Sequence, residues 1–311
     1  MGWVDESMAL VQLSTVVGWL TYSALLSLMG LGISLLYRTT KVPNFAHAAF
    51  ITFGAYITYT VTIAIGHNPY LGLPFAFVLV GLVGLVEFYV LLEPLRRRRS
   101  PMFMLMIATL SFDIIGLGFM NILAESLTNV FKLLSVSVSL EQYDFYLLGA
   151  PGVLFVALGI VVLTVTALYS LLKFTTVGIA LRCSMENTTL SEFTGINVSR
   201  MLALSWFIAG GIGGVAGALL PLWSTVGPGI GDFLIPSMFA VSIVGGLGEI
   251  YGAVLGGFLL GFVDIIGTSV LASVVGTWVT FYEQVVPLIV LSATLVIIPK
   301  GLASVRIRRG K

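Results

Sequence analysis

Residues 71–92 read LGLPFAFVLVGLVGLVEFYVLL, and residues 93–101 read EPLRRRRSP. The first stretch carries one carboxylate, Glu87, in a run long enough to cross a bilayer, which takes about 20 apolar residues. The second closes it with Arg96, Arg97, Arg98 and Arg99 between Pro94 and Pro101. Basic residues beside an apolar span stay cytoplasmic, so the two stretches together define a crossing and its direction. The simplest role of the arginine block is a topology anchor beside anionic headgroups rather than a nucleic-acid patch.

Outward from this span, apolar runs recur at 14–37, 45–65, 101–123, 148–172, 201–222, 234–248, 252–273 and 279–298. The chain has 311 residues, of which 58% are hydrophobic and 9% charged, and its mean hydropathy is +1.07. A soluble domain carries roughly 25% charged residues, so lipid is the solvent. The expected architecture is all-α and polytopic, with about eight or nine transmembrane or re-entrant helices in a single domain over 1–311.

Fourteen of the fifteen Lys and Arg residues fall on one side when successive runs cross, Lys132 being the exception. With Asp5 and Glu6 outside, Arg38 and Lys41 fall inside, His67–Pro69 outside and Arg96–Arg99 inside. Segment 124–147 is then extracytoplasmic, 173–200 cytoplasmic and 223–233 outside. The tail with Lys300, Arg306, Arg308, Arg309 and Lys311 is cytoplasmic if 234–248 crosses. That run is short and ends in Gly245, Gly246 and Gly248, so it reads as a crossing or as a broken helix lining a cavity. The acidic start lacks the basic region of a cleavable signal peptide, and the first run is read as a retained helix.

Cys183 is the lone cysteine, which excludes a disulfide framework and a cysteine metal site. No G-x-x-x-x-G-K-[ST] motif is present, so the chain does not hydrolyse ATP through a P-loop of its own. Gly210/Gly214, Gly213/Gly217, Gly252/Gly256 and Gly257/Gly261 are GxxxG pairs, which let helix backbones approach closely in lipid. In Pro43-Asn-Phe-Ala-His47, Asn44 reads as a helix cap and His47 as the third helical residue reaching back to it. The rival reading places both beside a permeation path. Glu87, Asp113 and Asp264 lie within apolar runs and Glu283 near the end of one, and an intramembrane ionisable group is a functional candidate by default. Leu134–Leu140 alternates apolar and serine residues and reads as a short half-buried strand. Residues 184–194 read as one surface helix, capped by Ser184 and stopped by Gly195.

Four stretches in order, PNFAHAAFITFGAY, EPLRRRRSP with IATLSFDII, TTVGIALRCSMENTTLSEFTGIN and GGLGEIYGAVLGGFLLG, resemble the permeases of branched-chain amino acid ABC transporters, the Liv-type systems. The likeness covers about 15–300 and is nearer the H-type than the M-type subunit. Ala48 stands where that family usually has glycine.

The resemblance implies a prokaryotic inner-membrane protein that pairs with a second permease. It also implies two cytoplasmic subunits that bind ATP and Mg, an extracytoplasmic solute-binding protein and a small amino acid substrate. On that reading the chain itself carries no catalytic residue, cofactor or metal. Arg182, Asn187, Glu192, Gly195 and Ile196 would belong to the ATPase-coupling segment. Asn44, His47, Asp113, Gly245, Gly246 and Gly248 would border the substrate path, and segment 124–147 would meet the binding protein. Related permeases carry amides or urea. The rivals are an ion-coupled secondary transporter using the buried carboxylates, a passive channel, and an intramembrane enzyme. For the last, no serine motif pairs with His47 or His67.

Overall fold

The computed structural model describes residues 2–65, 68–131, 136–276, 278, 280, 285–298 and 301–303. His67, Lys132, Glu283, Leu134 and Ser135, and the basic tail residues Lys300 and Arg306 to Lys311, lie outside the described residues.

The chain is helical almost throughout. α1 is Gly2–Thr40, α2 His47–Ile65 and α3 Gly72–Glu87, which continues through a π-turn, Phe88–Leu92, into α4, Glu93–Arg97. α5 is Met102–Phe131. A two-stranded ribbon, β1 Tyr146–Leu147 and β2 Ala150–Pro151, precedes α6, Gly152–Phe174. α7 is Thr176–Glu186, α8 Thr188–Phe193, α9 Val198–Trp223 and α10 Ile230–Gly245. α11, Ile250–Phe262, passes through a second π-turn, Val263–Gly267, into α12, Thr268–Val275, and α13 is Val285–Ile297. Among the described residues six helical stretches are long and apolar enough to cross a membrane, and α10 and α13 are shorter apolar helices.

α1 and α9 form the centre. In their most apolar windows 72% and 83% of residues are buried, against 22% for α5 and 28% for the α11–α12 stretch. The outer helices are apolar on the sides that face lipid. Trp206, Phe50 and Phe88 are fully enclosed between them.

Helix direction follows from the contacts. Gly30 abuts Val241 and the hydroxyls of Ser34 and Ser242 hydrogen-bond at 2.7 Å, so α10 runs alongside α1 in the same sense. Arg38 Nη1 donates to the Gly248 carbonyl at 3.1 Å just beyond it. α11 runs the opposite way, with Gly257 against Ser27 and Gly261 against Ser23. Residues 234–245 of the run at 234–248 are thus the later part of a helix that begins at Ile230, and 246–248 form the turn that follows it.

Prolines explain two irregularities. Pro94 lacks the N–H that would bond the Val90 carbonyl, and the helix widens into its π-turn one step earlier. Pro236 inside α10 leaves the Asp232 carbonyl without its usual helical donor.

Among the described residues of Leu134–Leu140 there is less strand than the serine alternation predicts. Val138 forms an isolated bridge with Val226, two N–H···O bonds of 2.8 Å, and Leu140 N–H donates to the Pro221 carbonyl at 2.7 Å. Val138 and Leu140 are buried and Ser139 is exposed, so the alternation survives in that short stretch.

The GxxxG glycines face helices of the same chain. Gly210 and Gly214 meet the backbone of α3 at Val80 and Ala76, while Gly252 and Gly256 meet α10 at Gly245 and Val241. A Cβ on Gly217 would run into the Ile51 backbone. Backbone cannot yield as a flexible side chain can, so Gly217→Leu is expected to lower stability by about 1–3 kcal/mol or to abolish folding. Gly159 has nothing within 4 Å, and Gly159→Ala should hold or slightly raise stability. Thermal unfolding of both variants in one detergent checks the contrast.

Candidate functional site

α1 ends where Lys41 adopts a left-handed conformation (φ 59°), and 42–44 lie outside any regular element before α2 begins. That start lies inside the bundle. The His47 ring packs against Gly32 of α1 and Gly213 of α9, whereas Arg38 sits six residues further along α1, about 9 Å at 1.5 Å per residue. A helix start buried there needs partners for its amides, since no water reaches them.

The partners come from the chain itself. Ala46 N–H donates to Asn44 Oδ1 at 3.0 Å, Phe45 N–H to Thr109 Oγ1 at 3.3 Å, and Ala49 N–H to Asp113 Oδ1 at 3.0 Å. Thr109 and Asp113 are four apart, so one face of α5 caps α2 from outside it. α10 starts against the same place. Gly231 N–H donates to Thr52 Oγ1 at 3.1 Å, and the Asp232 carboxyl lies near that of Asp113. Two helix N-termini, each the positive end of its dipole, therefore meet at one acidic pair.

Two more polar side chains complete the cluster. Glu87 is fully buried near the Asn44 amide, and neither its oxygens nor the amide nitrogen of Asn44 completes a hydrogen bond. The His47 ring stands edge-on to Phe50, with centroids 5.6 Å apart, and neither of its nitrogens completes a bond. The capping-box reading of His47 is thus corrected. It is the first residue of α2, not the third, and its ring turns into the α1–α9 seam instead of back to Asn44.

Gly245, Gly246 and Gly248 lie elsewhere. They close α10 at the Arg38 end, where Gly246 (φ 109°) and Gly248 (φ 84°) reverse the chain. Arg38 ties the turn through the Gly248 carbonyl and through Glu249 at 3.5 Å. Gly245 and Gly252 pack backbone to backbone. The structure brings Asn44, His47 and Asp113 together and separates them from these glycines.

At that same end the polar segment folds as two helices, not the single helix expected over 184–194. α7 runs to Glu186, with Thr175 as its cap through Gly178 N–H at 2.9 Å. Ser184 lies in its last turn and donates to the Ala180 carbonyl. Asn187 then caps α8, accepting from Leu190 N–H at 3.0 Å. Asn187 outcompetes Ser184 because its amide offers a carbonyl acceptor where the chain is already extended (φ −151°). Gly195 (φ 83°) ends the segment, as the sequence suggests.

Arg182 shares a depression with Arg38, Lys41 and Glu249. Glu192, Gly195 and Ile196 share another with Glu93, Arg96 and Arg97. One end of the bundle therefore gathers cations from α1, α4 and α7. Leu190 and Phe193 project from α8 with 60% and 85% of their surface exposed.

The family described as branched-chain amino acid transport system / permease component matches residues 15–298. The chain belongs to that family. The permease is 42% identical over 288 residues to a probable branched-chain amino acid transport permease protein LivH of Methanocaldococcus jannaschii, covering 93% of this chain and 91% of that one. It is 24% identical over 298 residues to the high-affinity branched-chain amino acid transport system permease protein LivH of Escherichia coli K12, covering 91% and 92%. BraD of Pseudomonas aeruginosa, another permease protein of such a system, is 35% identical over 94 residues, 30% of this chain. No solved structure matches the permease.

Asp113 is the side chain on which the cluster turns. Asp113→Ala leaves the Ala49 N–H without an acceptor in a buried site and is expected to cost about 1–3 kcal/mol. Asp113→Asn keeps an acceptor and should cost less. Denaturation of the two variants in mixed micelles, read by circular dichroism, checks the order.

Proposed function

We propose that this chain is a translocation subunit of an ATP-driven importer of branched-chain amino acids. It works with a second permease, two cytoplasmic subunits that bind ATP and Mg, and an extracytoplasmic binding protein. The N-terminus is outside, the C-terminus is cytoplasmic, and the cation-rich end faces the ATPases.

One observation carries the reading. α8 is a short capped helix that raises two apolar side chains, Leu190 and Phe193, out of an otherwise polar end of the bundle. Such side chains gain by entering an apolar groove on a partner. Glu192 of the same segment lines a depression with Glu93, Arg96 and Arg97 of α4, and Arg182 and Glu186 line another with the α10–α11 turn. α8 packs against α7 and the central helix α9, so a push on it reaches the centre of the bundle. Closing of the ATPases on ATP drives this motion, and the bundle alternates between outward and inward access. The relatives' names supply the solute class.

Phe193→Ala combined with Leu190→Ala should abolish co-purification with the ATPase subunits and ATP-dependent leucine uptake. The melting profile should stay within about 0.5 kcal/mol of the parent, as expected for exposed sites. Uptake that survives without the ATPases and collapses with the proton gradient would replace the proposal with an ion-coupled carrier.

A further inference from the structure

The β1–β2 ribbon is a hairpin with a two-residue turn. Tyr146 pairs with Pro151 and Leu147 with Ala150, which leaves Leu148 and Gly149 at the tip, both at positive φ (53° and 80°). Turns of this kind take Asn, Asp or Gly, and a leucine in the left-handed region is sterically unfavourable. Leu148 is also 90% exposed, more than any other large apolar side chain among the described residues, and Tyr146 beside it is 76% exposed. The stem below the tip is well tied. Asp144 accepts from Phe145 N–H at 2.8 Å, from Val153 N–H at 3.0 Å and from the Tyr70 hydroxyl. Gly152 N–H donates to the Phe145 carbonyl at 2.6 Å. The Phe145 ring covers Gly152 and lies 5.5 Å from the Tyr70 ring, centroid to centroid. The hairpin therefore joins the short turn before α3 to the start of α6.

Direction and depth both place the tip against lipid. At 3.6 residues per turn, Gly152 is followed on its face of α6 by Phe155, Gly159 and Leu163. Phe155 and Leu163 are exposed and Gly159 has nothing within 4 Å, so the stem stands on the lipid-facing side of that helix. At the far end of α6, Lys173 Nζ donates to the Tyr169 hydroxyl. Tyr and Lys side chains of this kind settle at headgroup level. A hydrocarbon core of about 30 Å takes about 20 helical residues, which from Lys173 reaches Val153. The hairpin ends at Pro151 and so falls in the headgroup layer of the opposite leaflet. No Asp, Glu, Lys, Arg or His lies between Asp144 and Lys173. An interface with a soluble protein has a polar rim, and the tip has no charged residue to form one.

We propose that hairpin 145–149 is an interfacial anchor whose partner is the lipid surface. Its tip sits in the headgroup layer at the end of the bundle opposite Arg38 and Arg96–Arg99. Leu148 reaches the uppermost acyl carbons and the Tyr146 hydroxyl stays among the headgroups. Through Asp144 the anchor holds the start of α6 and the Tyr70 turn at one depth. The part of segment 124–147 left to a soluble partner is then the stretch before Asp144. The anchor does not depend on the importer reading.

The test uses the full chain, one copy per lipid nanodisc, with no other protein present. In a Cys183→Ser background, Leu148→Cys carries an NBD fluorophore. Iodide reports contact with water. Phospholipids with a nitroxide on the headgroup or at the end of an acyl chain report depth. The chain labelled at its native Cys183, exposed on α7, is the reference for water, and Leu163→Cys is the reference for the bilayer interior. Iodide should quench the Leu148 label at least about threefold less than the Cys183 label, as for a group at headgroup level. The headgroup nitroxide should quench it more than the chain-end nitroxide, the reverse of Leu163. Tyr146→Cys should repeat the result and replaces Leu148→Cys should that variant not fold.

Iodide quenching at Leu148 equal to that at Cys183 overturns the anchor and leaves the tip to a protein partner. Stronger quenching by the chain-end nitroxide overturns it by placing the tip inside the hydrocarbon. Protection from iodide without quenching by either lipid overturns it by showing the tip covered by the chain itself.

Discussion

Backbone amides in hydrocarbon must find acceptors within the protein, because an unsatisfied group there costs several kcal/mol. Most of the chain meets this demand by being helical. Where α2 starts in the interior, after three residues outside any regular element, it meets the demand with Asn44, Thr109 and Asp113. That solution brings α5 against α2. Thr52, one turn further along, receives the first turn of α10 in the same way. The polar cluster is thus a structural necessity of an interrupted helix before it is anything else. Its acidic character follows from the same cause, since a carboxylate is the strongest acceptor for amides at a positive helix end.

Lipid gives little drive for helices to associate through apolar surface, so close approach has to supply it. The central helix α9 touches α2 and α3 through glycines, and α11 touches α1 and α10 in the same way. Contact of backbone with backbone leaves no soft side chain to absorb motion. Displacements between these helices therefore take the form of sliding or rotation of whole elements.

Much of this was legible in the sequence. The apolar runs and their arginine ends gave the helices, and the GxxxG pairs pointed to close contacts that the structure resolves as internal. Asp113 was visible as an intramembrane carboxylate. Its partner Asp232 was not, because Asp232 sits in what reads as a loop beyond α9, and only the early start of α10 at Ile230 carries it inward. The role of His47 was misread by two positions, since the turn at Phe45 and Ala46 delays the helix and swings the ring into the α1–α9 seam. The break at Asn187 was hidden because Ser184 is also an acceptable cap, and the choice depends on backbone angles that composition does not encode. Leu190 and Phe193 looked like ordinary apolar residues until the packing left them outside.

The two bonds between Val138 and Val226, with Leu140 held on the Pro221 carbonyl, bind the outer segment to the last turn of α9 and the residues just past it. Pro221 has no N–H of its own to stiffen that turn. The segment therefore serves as a handle on the bundle's axle: a load placed on it enters the central helix at Pro221, in its last turn.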